Sequence, residues 1–208
     1  YYNILKSLKY LPVDRRVEWL KIVKQAIQPW LVNGFDSEKG LFYGALNVIN
    51  GKPIARTDDY PYKPETYADI WNPLFPTHNY PLPFAECCLE LYKITKNQFY
   101  KEAAENWYNH ILNQLENRIN YTLYAENYAR IIHYLFHYGN ELNKPEALEN
   151  AKLLTDEAMS SLYVIEKQMF RSHTNEFRYD AVDGTGLMYF ALSWTEGKKK
   201  TDISWYYF

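Results

Sequence analysis

Apolar residues recur at helical spacing in six segments of the chain, and these segments are of two kinds. Three have apolar residues on one face and Lys, Gln or Glu on the other, which predicts one-sided helices over residues 14–32, 97–117 and 145–163. The other three are apolar nearly all the way round, and they cover residues 83–95, 125–142 and 182–195. Because a helix that is apolar on every side is buried on every side, the alternation predicts outer and inner helices in turn, and therefore an all-α fold.

A short motif occurs twice at corresponding places in this pattern. Glu38-Lys39-Gly40-Leu41-Phe42 follows the first one-sided segment, and Glu166-Lys167-Gln168-Met169-Phe170 follows the third. In each case a turn and a strand are expected where an outer helix leads toward an inner one. We interpret the motif as an internal structural repeat.

The connection over residues 33–82 is too long for a simple loop. We predict a β-hairpin within it, around Gly40–Arg56, with Asn50-Gly51 as its turn. Residues 1–195 are expected to form one domain, and residues 196–208 a solvated tail.

The composition is that of an ordinary globular protein, 47% hydrophobic and 23% charged. The net charge of -2 implies no basic face, so nucleic acid is not an expected partner. No run of 18 apolar residues is present, so no membrane span is expected. The adjacent Cys87 and Cys88 do not decide the redox compartment. Aromatic residues make up 18% of the chain, an excess that can serve a core, an interface or a sugar-stacking cleft.

Several stretches resemble the six-hairpin, or α/α-toroid, superfamily of carbohydrate-active proteins. They are GFDSEKGLFY at 34–43, FAECCLELY at 84–92, FYKEAA at 99–104 and RYDAVDGTG at 178–186. This superfamily includes unsaturated glucuronyl hydrolases, other glycoside hydrolases, polysaccharide lyases and sugar epimerases. A full toroid has twice as many helices as this chain, so the resemblance implies an incomplete toroid, completed by a partner chain or a further domain. It also favours a periplasmic or secreted location.

The resemblance implies a carbohydrate-binding cleft at the N-terminal ends of the inner helices, and the chain concentrates polar residues there. Hydrolysis of a glycosidic bond requires two carboxyl groups about 5–10 Å apart. Asp180 and Asp183 share a face if that stretch is helical, and Glu126 or Glu86 could supply the facing group. The predicted substrate-binding residues are Trp71, Tyr80, Tyr124, Asn127, Arg130, His173 and Tyr179. No cofactor and no metal are predicted, and His133 and His137 are interpreted as core histidines.

Two other functions fit the same residues. A polysaccharide lyase needs a group that neutralises a uronate carboxylate, for which Asn127 and Arg130 are candidates, and a base, for which Tyr124 or His173 could serve. Arg130 could instead form a structural salt bridge with Glu126. A non-catalytic glycan-binding or scaffold half-toroid is the third alternative.

The alternation of helices also makes a geometric prediction. Inner helices of a toroid run parallel, because each follows an outer helix that runs the other way. Their N-termini should therefore meet at one end. The residues expected to converge there are Tyr80, Glu86, Tyr124, Glu126, Arg130, Tyr179, Asp180 and Asp183.

Overall fold

The computed structural model describes residues 1–54, 66–71, 81–118, 121–179 and 184–196. Within these ranges the chain is all-α with two small β-hairpins, which confirms the predicted fold class. The helices are α1 (Tyr2–Ser7), α2 (Val13–Asn33), α3 (Pro81–Thr95), α4 (Gln98–Glu116), α5 (Ala125–Leu142), α6 (Pro145–Leu162) and α7 (Thr185–Thr195). The strands are β1 (Phe35–Asp36), β2 (Leu41–Phe42), β3 (Tyr163–Val164) and β4 (Met169–Phe170). None of the helices in the described ranges has both the length and the apolar character needed to cross a bilayer.

The chain divides into two compact units, Tyr1–Leu115 and the part from Glu116 onward. The interpretation of residues 1–195 as one toroid domain stays a prediction. The predicted tail lies outside the described residues from 197 onward.

The six predicted helical segments correspond to α2 through α7, with ends that differ by at most three residues. The boundaries follow known end signals: Pro145 begins α6, where its missing N–H costs no helical bond, and Asn143 ends α5 in the left-handed conformation. The helix α1 was not predicted, because six residues are too few to show a period.

The two β-hairpins confirm the internal repeat. Phe35 pairs with Phe42 in the first hairpin, and Tyr163 pairs with Phe170 in the second. The turn residue has a positive φ in both, +68° at Gly40 and +53° at Gln168. Each motif phenylalanine is buried, so the repeated sequence forms a repeated structure.

The predicted hairpin around Gly40–Arg56 is only partly present. The paired strands β1 and β2 are shorter and begin earlier in the chain. Around the predicted turn the chain makes a single antiparallel bridge between Leu46 and Pro53, and Gly51 has a φ of +68°. The predicted turn is thus confirmed, whereas residues 55 and 56 lie outside the described ranges.

The first unit has an apolar core with an aromatic centre. Val23 and Ile27 of α2 pack in one cluster with Leu5 of α1 and Leu91 of α3. Beside β2, the ring of Phe42 stacks on Trp107 of α4, with ring centroids 3.8 Å apart.

His110 of α4 joins this core to two backbone segments. Its Nδ1 accepts a hydrogen bond from the Phe42 N–H at 3.3 Å, and its Nε2 lies 3.1 Å from the carbonyl oxygen of Ala68. The ring is therefore neutral and carries its proton on Nε2. Burial, the main cause, lowers the pKa of His110 to about 4.

In its described residues the second unit contains three packed helices, α5, α6 and α7, and the hairpin of β3 and β4. A two-residue connection makes α5 and α6 antiparallel, and Gly139 allows their close approach, because a Cβ there would lie 2.6 Å from Leu148. Gly184, at the start of α7, lies against Glu126 in the first turn of α5. Trp194, near the end of α7, has its ring 4.9 Å from that of His133, which lies further along α5. The two predicted inner helices α5 and α7 therefore run parallel, as expected.

The predicted inner helix α5 is more buried than the predicted outer helices α2 and α6, as expected, but the predicted inner helix α7 is not clearly so. Fourteen of the 18 residues of α5 are buried, against two of 21 in α2 and six of 18 in α6. In α3 every residue from position 85 to 91 is buried. Only four of the 11 residues of α7 are buried, and Tyr189 is 50% exposed. The prediction of all-round burial is wrong for α7, because its packing partners in the described ranges, α5 and α6, leave one side open to solvent.

Candidate functional site

The N-termini of α5 and α7 lie side by side in the second unit. Gly184 precedes α7 with a φ of +77°, and a Cβ on it would lie 2.3 Å from the Cβ of Glu126. Only a hydrogen atom fits in this space, so the glycine is required by both its backbone conformation and its neighbour. The approach brings a carboxyl group of α5 to the point where the described chain resumes after residues 180–183.

Glu126 and Arg130 form an ion pair one helical turn apart. Nε of Arg130 donates to Oε1 of Glu126 at 3.0 Å, and Nη2 donates to the same oxygen at 2.6 Å. Both side chains are largely buried. Within the described ranges no donor is bonded to Oε2 of Glu126. The predicted salt bridge is therefore present, and it uses one of the two carboxylate oxygens.

Tyr124 lies two residues before Glu126 in the chain and contacts His173. They form an isolated antiparallel bridge, and their ring centroids are 5.1 Å apart. The Ala125 N–H donates to the carbonyl of Ser172, which ties the start of α5 to this segment. Nδ1 of His173 accepts from the Asn175 N–H at 3.2 Å, so the neutral ring carries its proton on Nε2.

A second ion pair, between Arg118 and Glu157 of α6, was not predicted from the sequence. Glu157 accepts one hydrogen bond from the hydroxyl of Tyr128 and another from Arg118, through its two different oxygens. Burial, followed by the bond to Glu157, raises the pKa of Tyr128. The two partners of Glu157 lie 29 and 39 residues away in sequence, so no local pattern could have indicated this cluster.

The remaining predicted site residues have different environments. Tyr179 is 52% exposed, and Asn127 is buried in the first turn of α5. Asp180, Asp183 and Tyr80 lie outside the described residues. The structure thus brings Glu126 and Arg130 together, and Tyr124 and His173.

Two predicted site residues of the first unit are buried. Glu86 of α3 has no exposed surface, which favours a structural role over catalysis. Trp71 is 1% exposed, and its Nε1 donates to the carbonyl of Gln114 at 3.2 Å. An indole in this position has no free face for stacking on a sugar, which argues against substrate binding by Trp71. The predicted meeting of α3 with the inner helices of the second unit stays a prediction.

Sequence patterns did not indicate a polar cluster on the first hairpin. Oδ2 of Asp36 accepts from the hydroxyls of Tyr67, at 2.8 Å, and Tyr43, at 3.1 Å. The bond from Tyr67 is the main cause that lowers the pKa of Asp36. Lys39 lies over the ring of Tyr67 at 5.1 Å. These bonds attach the segment around Tyr67 to β1.

Metal binding and thiol chemistry have little support in the described ranges. No group of three or more His, Cys, Asp or Glu side chains there could hold a metal ion. The predicted core histidines His133 and His137 are buried, as expected. Burial raises the pKa of Cys87 to about 12 and that of Cys88 well above its usual value, so neither thiol is suited to nucleophilic chemistry at neutral pH.

The sequence matches no protein-family model and no curated protein, and the fold matches no solved structure.

Proposed function

We propose that this chain belongs to a carbohydrate-active enzyme of the glycoside hydrolase type, with its site at the paired N-termini of α5 and α7. One observation supports this most directly. Glu126 keeps one oxygen free of described donors and lies against Gly184, which directly follows Asp183 in the sequence. A carboxyl group from α5 and one from the segment before α7 could therefore act as a pair.

The proposed chemistry assigns different roles to the two carboxyl groups. A carboxylate that accepts two bonds from a guanidinium is an acceptor, so Glu126 serves as the base or nucleophile. Asp180 or Asp183 serves as the acid, which donates its proton to the glycosidic oxygen as the bond to the anomeric carbon breaks. A water molecule supplies the new oxygen on that carbon, and its proton passes to a carboxylate.

Polysaccharide lyase activity is the second candidate, because Tyr124 and His173 are in contact beside the same helix end. Either side chain could remove a proton next to a uronate carboxylate. The ion pair weighs against this candidate, since the guanidinium of Arg130 is bonded to Glu126 and is less able to neutralise a substrate carboxylate. A non-catalytic glycan-binding scaffold is the outcome if neither chemistry is found.

Turnover by the full-length protein on neutral and acidic oligosaccharides tests the proposal. Hydrolysis gives new reducing ends alone, whereas a lyase also gives an unsaturated sugar that absorbs in the ultraviolet. We expect Glu126→Gln to reduce hydrolysis about a hundredfold or more. Glu157→Gln is the matched control, because it also removes a carboxylate that accepts from an arginine in the second unit. Equal losses in the two variants, or an unsaturated product, would refute hydrolysis by Glu126.

A further inference from the structure

The first unit has a groove with a basic rim on its surface. It has a volume of about 340 Å³ and lies between α1, α2 and α3. A second depression, of about 410 Å³, follows the outer face of α2 and shares Leu20 with the first. Together they form what we call the basic path, whose cationic side chains are Lys6, Lys9, Arg16, Lys21, Lys24 and Lys93.

Four of the six cationic side chains of the basic path have no carboxylate partner in the described ranges, whereas Lys6 and Lys93 both have interaction partners. The carboxylate that lines the basic path, Glu90, is bonded to Lys6 at 3.2 Å. Within the described ranges, Lys9, Arg16, Lys21 and Lys24 have no carboxylate partner.

The same charge is visible in the sequence once position is considered. The first 24 residues hold six basic and two acidic residues, a net charge of +4, whereas the whole chain has -2. Of the two acidic residues, Glu18 is bonded to Arg15 at 2.9 Å. The overall charge therefore conceals a basic surface, and the expectation of no basic face is corrected for this part of the chain.

The lining between the cations indicates the chemistry of the ligand. The floor is aliphatic, with Leu5, Leu8 and Leu20, and the amides of Gln25 and Gln28 can bond to hydroxyl groups. No aromatic side chain lines either depression in the described ranges, and the exposed ring of Tyr10 lies beside a lining cation, Lys9. The depressions themselves therefore offer no row of aromatic rings on which successive bases could stack. Aliphatic surface can cover the C–H faces of sugar rings, while the lysines pair with carboxylate or sulfate groups.

We propose that the basic path binds a linear anionic glycan, one that carries carboxylate or sulfate groups along its length. The choice of a glycan as the polyanion rests on the proposed function, whereas the anionic character follows from the charges alone. The two depressions share Leu20 and both are lined by cations, so a chain of several sugars would make more contacts than a single small anion.

Binding of a size-defined sulfated uronate oligosaccharide, measured by titration calorimetry at low and high salt, tests this proposal. We expect Lys9→Gln/Lys24→Gln, which removes one cation from each depression, to weaken binding about tenfold. The matched control Lys152→Gln/Lys167→Gln removes the same charge from exposed positions of the second unit and should change binding less than twofold. Binding should also weaken as salt is added.

Three outcomes would overturn the proposal. They are equal weakening in both double variants, equally tight binding of a neutral oligosaccharide, and tighter binding of single-stranded RNA than of the sulfated glycan. The test is independent of the proposed hydrolysis, because Glu126→Gln should leave this binding unchanged, and Lys9→Gln/Lys24→Gln should leave turnover of a neutral substrate unchanged.

Discussion

Lowering the pH from about 7.5 to about 5 should destabilise the first unit, because His110 is buried there as a neutral ring. Its pKa is about 4 in the folded protein, against an ordinary value of 6.5. As the pH falls, the unfolded chain therefore takes up a proton before the folded one does. The stabilisation by a neutral His110 is complete above pH 6.5 and is lost between about pH 6.5 and 4.

The size of the effect follows from these two pKa values. Between about pH 7.5 and 5, proton linkage at this one residue lowers the free energy of unfolding by about 2 kcal/mol. That is a large part of the stability of an ordinary domain. Burial opposes protonation of His110 in the folded protein, and so does the bond from the Phe42 N–H, because a charged ring could no longer accept it.

Urea denaturation of the wild type and of His110→Gln, followed by tryptophan fluorescence at several pH values, measures this effect. Glutamine can still bridge the two backbone groups but does not titrate. The wild type should lose about 2 kcal/mol relative to the variant over this pH range. A difference that stays constant with pH would refute the reasoning, as would an NMR titration of the His110 ring with a midpoint above pH 6.

Three further predictions concern backbone conformation and the hairpin cluster. Gly184→Ala should reduce the free energy of unfolding by about 2 kcal/mol or more, because the alanine would have to adopt a positive φ and its Cβ would clash with α5. Gly186→Ala is the control: its Cβ would have open space around it, so the variant should be neutral or stabilising in the same denaturation assay. Gln168→Gly should raise the stability by about 0.5–1 kcal/mol, since its φ of +53° suits glycine, and a lower melting temperature would contradict this. Tyr67→Phe should raise the pKa of Asp36 toward its usual range, as seen by NMR of the carboxyl carbon, and no change would show that Tyr67 is not the main cause.

Most of the fold could be predicted from the sequence because a helix shows a local signal, the periodic spacing of its apolar residues. The spacing of apolar residues located α2 through α7, and the repeated motif around Gly40 and Gln168 indicated the turn and the strand that recur in the two hairpins. The hairpin predicted around Gly40–Arg56 was placed too late in the chain to match β1 and β2. Burial was predicted less well. The apolar composition of α7 indicated a fully buried helix, yet how many neighbours cover a helix depends on the tertiary packing and not on its own residues.

The polar contacts of the structure could also be predicted only where both partners are close in sequence. The pair Glu126 and Arg130 is four residues apart on one helix, so its spacing could indicate the ion pair. His110 gave no such signal, because a histidine on a one-sided helix is indistinguishable from an exposed polar residue. Its partner in β2 is 68 residues away, and only the folded chain brings the two together.

The hydrogen-sized space at Gly184 has a consequence for how this protein can vary. A residue larger than glycine at position 184 would push directly on the Cα and Cβ of Glu126, two atoms that almost every residue at position 126 would also have. Exchanging the side chain at position 126 therefore cannot relieve the clash, whereas position 126 can vary as long as position 184 is glycine. In a combinatorial library, position 184 should stay glycine whichever residue occupies position 126, and deep sequencing of selected variants would show this one-sided restriction.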